Sequence, residues 1–203
     1  MKSRVSAFVG VCVVLLAAVC VSAVTFTLYY DSAGDDNDDG SEDTTHDAVP
    51  GDSGGVWAIV PDDTCPSGAW AWANFTQYST EHHPTTTGYY DVDYNFDIKA
   101  DIGKEGAGDQ AYVRVLCIIE QELSPGLWNY VDADHQYFYG DIDASRAIQF
   151  DDVWIHNYYD YRVRIVNHAY ATIGSNNHYA HADAGQSSYE VDFDNAEFTY
   201  DHG

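Results

Sequence analysis

Two sets of side chains in this sequence have the types and spacing to do chemistry. His178, His181 and Asp183 bring two imidazoles and a carboxylate within six residues, ligand types that a transition metal takes when a turn lets them converge. On an extended strand, positions three apart point to opposite faces, and only His181 and Asp183 then meet. Trp70 and Trp72 stand two apart, with Phe75 and Tyr78 following. On a strand the two indoles share a face. Exposed, they make with Tyr78 a flat stacking platform for a sugar ring; buried, they make half of a core, the arrangement that rings of this size favour in a small sandwich. Asn74-Phe75-Thr76 is the chain's single glycosylation sequon, with Asn74 as the acceptor on the face opposite Phe75.

Other stretches spell motifs whose context is wrong. Gly51-Asp52-Ser53-Gly54-Gly55 resembles the segment around the nucleophile of trypsin-like serine proteases, where glycines free backbone N–H groups for an oxyanion hole. In that family the histidine and aspartate precede the serine across most of a double-barrel domain, whereas here only His46 and an apolar segment precede Ser53. Asp35-Asp36-Asn37-Asp38-Asp39-Gly40 fits the first half of a calcium loop, but His46 takes the place of the bidentate glutamate. The pairs Asp132/Asp134 and Asp141/Asp143 have calcium-binding chemistry, yet 33 carboxylates make such spacing expected from composition. No nucleophile elbow, phosphate loop or zinc-ligand run is present, so the sequence points to a binding or structural module without catalysis or a cofactor.

The charge describes the solvent. Of eight Lys and Arg, Lys2 and Arg4 precede an uncharged run, so six cations face 33 carboxylates in the remainder, and 26 of those acids are Asp. Screening reaches about 8 Å at physiological ionic strength and about 3 Å at 1 M, so a chain this acidic is expected to need concentrated salt. Three lysines in 203 residues fit the same solvent, because a long apolar stem is a liability where salt strengthens apolar association. The composition resembles that of haloarchaeal secreted and cell-surface proteins. Nucleic acid is excluded as a partner, since phosphate binding needs a basic stripe.

Residues 5–30 carry no charge and follow Lys2 and Arg4. Val21 and Ala23 suit a signal-peptidase site with cleavage before Val24, while the full run is long enough to span a bilayer of about 30 Å. Thr25 to Tyr30 extends it to two tyrosines suited to the interface, which favours a retained anchor. Either way residues 31–203 lie outside the cell. Arg4-Val5-Ser6 with Gly10-Val11, within residues 4–24, resembles the start of archaeal type IV pilins and implies a filament core, although Ala7 replaces their usual proline. The partners expected are therefore the membrane through residues 5–30, other surface proteins or glycans, and further copies in self-assembly; a secreted hydrolase or carbohydrate-binding protein is the remaining alternative.

The elements that must position these residues are strands. The organisation expected is an N-terminal apolar helix over 1–30, a disordered acidic linker over 31–55, and an ectodomain over 56–203. Tyr90 to Ile102 alternates apolar and polar residues throughout, Ala111 to Glu120 repeats the pattern after a loop at 103–109, and Ser124-Pro125-Gly126 makes the next turn. Tyr159, Tyr161, Val163 and Ile165 share a face, and the phase change between Phe193 and Ala196 implies a bulge at Asp194-Asn195. Helix beyond the N-terminus is confined to a turn near 143–148. Eight or nine short strands make an all-β, antiparallel two-sheet sandwich, of jelly-roll or Ig-like type, the expected fold. Cys65 and Cys117, in an oxidising compartment, are expected to pair; closing the 51 residues between them constrains the unfolded chain by about 4 kcal/mol.

Overall fold

The computed structural model describes residues 24–39, 45–49, 53–61, 66–176, 178–186 and 188–201. Their strands are β1 (Thr25–Leu28), β2 (Tyr30–Asp39), β3 (Thr45–Val49), β4 (Ser53–Val60), β5 (Trp70–Ser79), β6 (Gly88–Lys104), β7 (Gln110–Ser124), β8 (Leu127–Phe138), β9 (Ile142–Ile155), β10 (Tyr161–Thr172), β11 (Ala180–Ala184) and β12 (Glu190–Tyr200). They form two antiparallel sheets. One runs β1-β12-β4-β11-β6-β9, with β3 on β4 and β12 also paired to β6; the other runs β2-β5-β10-β7-β8. The all-β, two-sheet reading of the sequence holds.

Alternation assigns the faces. In β6, Tyr90, Val92, Tyr94, Phe96, Ile98, Ala100 and Ile102 are buried, while the intervening aspartates and Lys99 point away from the partner sheet. Ala111, Val113, Val115, Cys117 and Ile119 of β7 and Tyr161, Val163 and Ile165 of β10 face them from the other layer. Turn chemistry fits as well. Gly126, at φ 79°, follows Pro125 as a type II turn requires, and Glu122 Oε1 accepts its N–H at 2.6 Å. The register of β12 on β6 slips between Phe193 and Asn195, where the phase change placed a bulge. β11 and β12 lie end to end along β6, Asp183 pairing with Asp101 and Glu190 with Lys99.

Several expectations need correction. The tract 31–55 is not one unstructured linker: residues 30–39 pair with β5, and 45–49 pair with β4, which itself begins at Ser53. A ladder supplies backbone hydrogen bonds that composition alone does not predict. Gly54 is buried where any side chain would overlap the Phe75 ring and the Asn167 amide of the opposite sheet, so this glycine of the protease-like motif serves close sheet packing. The uncharged run is not one helix to residue 30, because β1 pairs with β12 and buries Phe26 and Leu28. Residues 143–148 are extended within β9 rather than a helical turn. Residues 1–23, with the expected signal, anchor or pilin segment, and Cys65 lie outside the described residues. Cys117 is buried in the core as a free thiol. Among the described residues no helix is long and apolar enough to cross a membrane.

Candidate ligand-binding face

The two outer faces differ in chemistry. The face of the seven-stranded sheet is acidic: Asp97 sits opposite Asp192 and Asp93 opposite Glu197. A shallow depression of about 360 Å³ on that side is lined by Lys99, Asp101, Asp141, Asp143 and Tyr189 among others. The face of the five-stranded sheet is aromatic and carries arginines.

That second face is built by β5, β10 and β7 in register. Ala71, Ala73, Phe75 and Gln77 of β5 are buried, which turns Trp70, Trp72, Asn74, Thr76 and Tyr78 outward. Trp72 is paired to Tyr170, and Tyr170 to Tyr112; one row along, Asn74 is paired to His168, His168 to Arg114, and Arg114 to Tyr137. The expectation that the tryptophans belong to the core is therefore overturned. Small alanines fit the closely approached inner layer, and both indoles are half-buried on the outer face, Trp72 beside the His168 ring.

The rings make a continuous patch. Tyr112 stacks on Tyr170 with centroids 5.2 Å apart at 26°, meets Tyr137 edge-on at 5.2 Å, and lies 5.7 Å from His168. Trp72 is 6.1 Å from His168, and Tyr137 stacks on Tyr139 at 5.8 Å and 15°. Tyr139 is 67% exposed, which opens the patch to solvent on the β8 side.

Polar groups are set among the rings. His168 Nδ1 lies 2.5 Å from Asn74 Oδ1. Burial, then the charge of Arg114, pushes the imidazole down to about 4, so near neutrality it is uncharged: Nδ1–H donates to Asn74 and Nε2 is left as an acceptor. Burial and Tyr137 raise the Tyr112 hydroxyl, so it too stays protonated as a donor. Tyr78 sits in a separate corner with Arg162, whose guanidinium carbon is 4.4 Å from the Tyr78 centroid and 4.0 Å from that of Trp128. Arg162 Nε and Arg164 Nε each lie 2.8 Å from a carboxylate oxygen of the buried Glu120.

The remaining expected site residues do not come together. His178 Nδ1 contacts Asp109 Oδ2 at 3.0 Å, His181 Nε2 contacts Asp101 Oδ1 at 3.0 Å, and Asp183 Oδ1 accepts the N–H groups of Gly185 and Gln186. Each candidate metal ligand thus has its own structural partner. The buried Asp109 also accepts from Gly106 N at 2.5 Å and Gly174 N at 2.8 Å. Burial raises its carboxyl, but these N–H groups and His178 outweigh that and hold it below the ordinary value. Among the described residues no group of three or more His, Cys, Asp and Glu side chains could hold a metal. Asp132 and Asp134 each accept the N–H of the next residue, Asp141 accepts Ile102 N–H at 3.0 Å, and Asp143 meets Lys99 at 3.7 Å.

Sequence reasoning singled out Trp72 but missed Tyr112, Tyr137, His168, Tyr170 and Arg114. Their signal was present in the outward phase of the strands at 110–120 and 161–172. What a single sequence does not give is the register that sets β5, β10 and β7 side by side.

No protein-family model matches this chain, and no curated protein matches it in sequence. Among solved structures it is similar to TmCBM61 in complex with β-1,4-galactotriose, at 8% identity and a TM-score of 0.32 over 85% of this chain and 90% of that one. It is also similar to the enzymatically active domain of tailspike protein 4 of bacteriophage CBA120, at 16% identity and a TM-score of 0.30 over 78% of this chain and 18% of that one. Likenesses at these scores bear on neither site nor ligand.

Proposed function

We propose that this protein is an exported, non-catalytic binding module that presents the outer face of its five-stranded sheet to a glycan. The observation that carries the reading is the cross-strand row Trp72–Tyr170–Tyr112 beside the row Asn74–His168–Arg114. Rings with half-exposed faces offer stacking to the C–H face of a sugar, while a neutral imidazole acceptor and tyrosine hydroxyls fix its orientation. A purely apolar protein contact would leave the His168 acceptor and the Arg114 donors unmatched.

Export is supported by where the fold starts. β1 begins at Thr25, one residue beyond the candidate cleavage site, and the Val24 carbonyl accepts the N–H of Tyr200 at 2.9 Å. Removal of a leader before Val24 leaves the sandwich whole, whereas a bilayer span continuing to residue 30 takes Phe26 and Leu28 out of its core.

The test is tryptophan fluorescence of the full chain titrated with a panel of soluble polysaccharides, beside the same titration of Trp72→Ala. Saturable quenching by at least one polysaccharide, weakened by at least about tenfold in the variant, is expected. Identical responses of the two proteins across the panel overturn the reading.

A further inference from the structure

Six Lys and Arg follow Tyr30 in the sequence, and three of them, Arg114, Arg162 and Arg164, point outward from this one sheet. Five of the six have a hydrogen-bond or ion-pair partner. Arg162 and Arg164 share Glu120, Lys99 meets Asp143, Lys104 donates to the Asp109 carbonyl at 3.1 Å, and Arg146 donates to the Ser145 carbonyl at 3.0 Å. Arg114 differs. Among the described residues its guanidinium makes no hydrogen bond or ion pair, and its Nε is buried with no hydrogen-bond partner. Its one ring contact places the guanidinium carbon 6.0 Å from the Tyr137 centroid, the outer limit for a cation–π attraction.

A chain with 33 carboxylates has had ample opportunity to pair this arginine, and it instead stands in the middle of the aromatic patch with His168 on one side and Tyr137 on the other. We propose that the patch takes an acidic sugar, bearing a uronate carboxylate or a sulfate ester, and that Arg114 holds the oxyanion in a forked pair of charge-assisted hydrogen bonds. This rests on the glycan-binding reading and names its ligand class.

Concentrated salt also favours arginine as the cation. In concentrated salt the screening length is about 3 Å, so attraction at a distance is lost and so is the repulsion between an anionic sugar and the acidic remainder of the chain. Contact hydrogen bonds with a fixed planar geometry survive that screening, and the guanidinium supplies two parallel donors where an ammonium supplies a hydrated point charge. Stacking on Trp72 and Tyr112 would bring a ring bearing an equatorial oxyanion alongside Arg114, and the buried Nε leaves the outer end of the guanidinium as the part offered to a ligand.

The experiment uses the full chain in detergent at about 2 M KCl, with three classes of soluble polysaccharide: neutral galactan and glucan, polygalacturonate and alginate, and carrageenan and cellulose sulfate. The readouts are tryptophan quenching and retardation in affinity electrophoresis. The best acidic polymer is expected to bind at least about tenfold more tightly than the best neutral one. Arg114→Gln should weaken the best acidic polymer at least about tenfold more than the best neutral one, and Arg114→Lys should recover only part of that difference. Preference for polygalacturonate or alginate identifies a carboxylate ligand; preference for carrageenan or cellulose sulfate identifies a sulfate ester. A best ligand that is neutral and indifferent to Arg114→Gln overturns this inference and leaves the aromatic platform standing. Failure of every polymer to bind, with Trp72→Ala unchanged from the parent, overturns the platform itself. Matching melting curves for parent, Arg114→Gln and Arg114→Lys confirm that altered binding is not altered folding.

Discussion

His168 and Asn74 meet side chain to side chain across β10 and β5, Nδ1 to Oδ1 at 2.5 Å. The imidazole titrates near 4 instead of its ordinary 6.5, through burial first and the charge of Arg114 second. As the pH falls, the unfolded chain therefore takes up this proton before the folded one does, and stability rises with pH across that window. The contribution is whole above 6.5 and drains away toward 4. At pH about 5 the loss comes to about 2 kcal/mol. Urea midpoints at pH about 7.5 and about 5 should fall further for the parent than for His168→Gln, which keeps a donor to Asn74 without the titration. Equal falls in the two proteins would sink the assignment.

The same bond bears on the sequon. Asn74 lies within the aromatic patch with its amide engaged by His168, so a glycan attached there would cover the proposed binding face. The intact mass of the exported chain should show Asn74 unmodified; a hexose-bearing mass that disappears in Asn74→Gln would count against an open platform.

β5 separates packing from binding residue by residue. Phe75 is fully buried and fills the space above Gly54, whereas Trp72 on the opposite face is only half-buried. Phe75→Ala should cost about 3–5 kcal/mol through the cavity it leaves, and Trp72→Ala about 1 kcal/mol, since lateral contacts alone are lost. Denaturant melts check both values. The reverse order would mean that the tryptophans, not the alanine side of the strand, face the opposite sheet.

How much of this was legible in the sequence follows from which physical signal each part depends on. β6 was readable because thirteen alternating residues, Tyr90 to Ile102, allow one phase only, and Pro125-Gly126 declared its turn through backbone preference. β5 was not, because Trp-Ala-Trp-Ala alternates large with small rather than apolar with polar, and each phase gives a plausible inner face. The opposing layer decides it: β4 comes so close to β5 that a side chain on Gly54 would overlap the Phe75 ring, and a layer approached this closely takes alanine. β2 was hidden for a different cause. Its carboxylates argue against order, while the ladder to β5 is a non-local interaction that no local composition reports.

Arg162 anchors the far corner of the same sheet. It is held between Tyr78 and Trp128 and bonded to Glu120, so its planar group and its charge are used together. Arg162→Lys keeps the charge and loses the stacking plane and the Nε bond. A loss of about 2 kcal/mol is expected, little changed between low and high salt, because a buried carboxylate loses one of two partners. Arg146→Lys, at an exposed position where the guanidinium donates to its neighbour's carbonyl, is the control and should be silent within about 0.5 kcal/mol. Similar effects at the two sites would deny Arg162 its structural role.

On the acidic face like charges stand directly opposite each other, Asp97 against Asp192 and Asp93 against Glu197, and burial together with Asp97 raises the Asp194 carboxyl. Directly opposed like charges cost roughly 0.2–1 kcal/mol each in dilute salt, and screening to about 3 Å removes most of that. Salt dependence of folding should therefore reside on this sheet. The parent chain is expected to melt higher in molar than in millimolar KCl, and Asp97→Asn with Asp93→Asn should shrink the difference. A melting temperature indifferent to salt would remove the argument for a concentrated-salt environment.

The start of the fold supplies the last expectation. Phe26 stacks on Phe198 at 4.5 Å and 16° and on His82 at 4.0 Å and 17°, and Leu28 beside it is 1% exposed. Two buried side chains and a four-residue ladder to β12 are worth several kcal/mol, on the order of the whole stability of a domain this size. Any processing that removes β1 is therefore incompatible with the sandwich, and cleavage immediately before Val24 spares it. The exported protein should carry Val24 at its N-terminus by mass spectrometry. A chain starting at Val24 should melt cooperatively, and one starting at Tyr30 should not; retention of Met1, or cooperative folding from Tyr30, would each break the link between β1 and export.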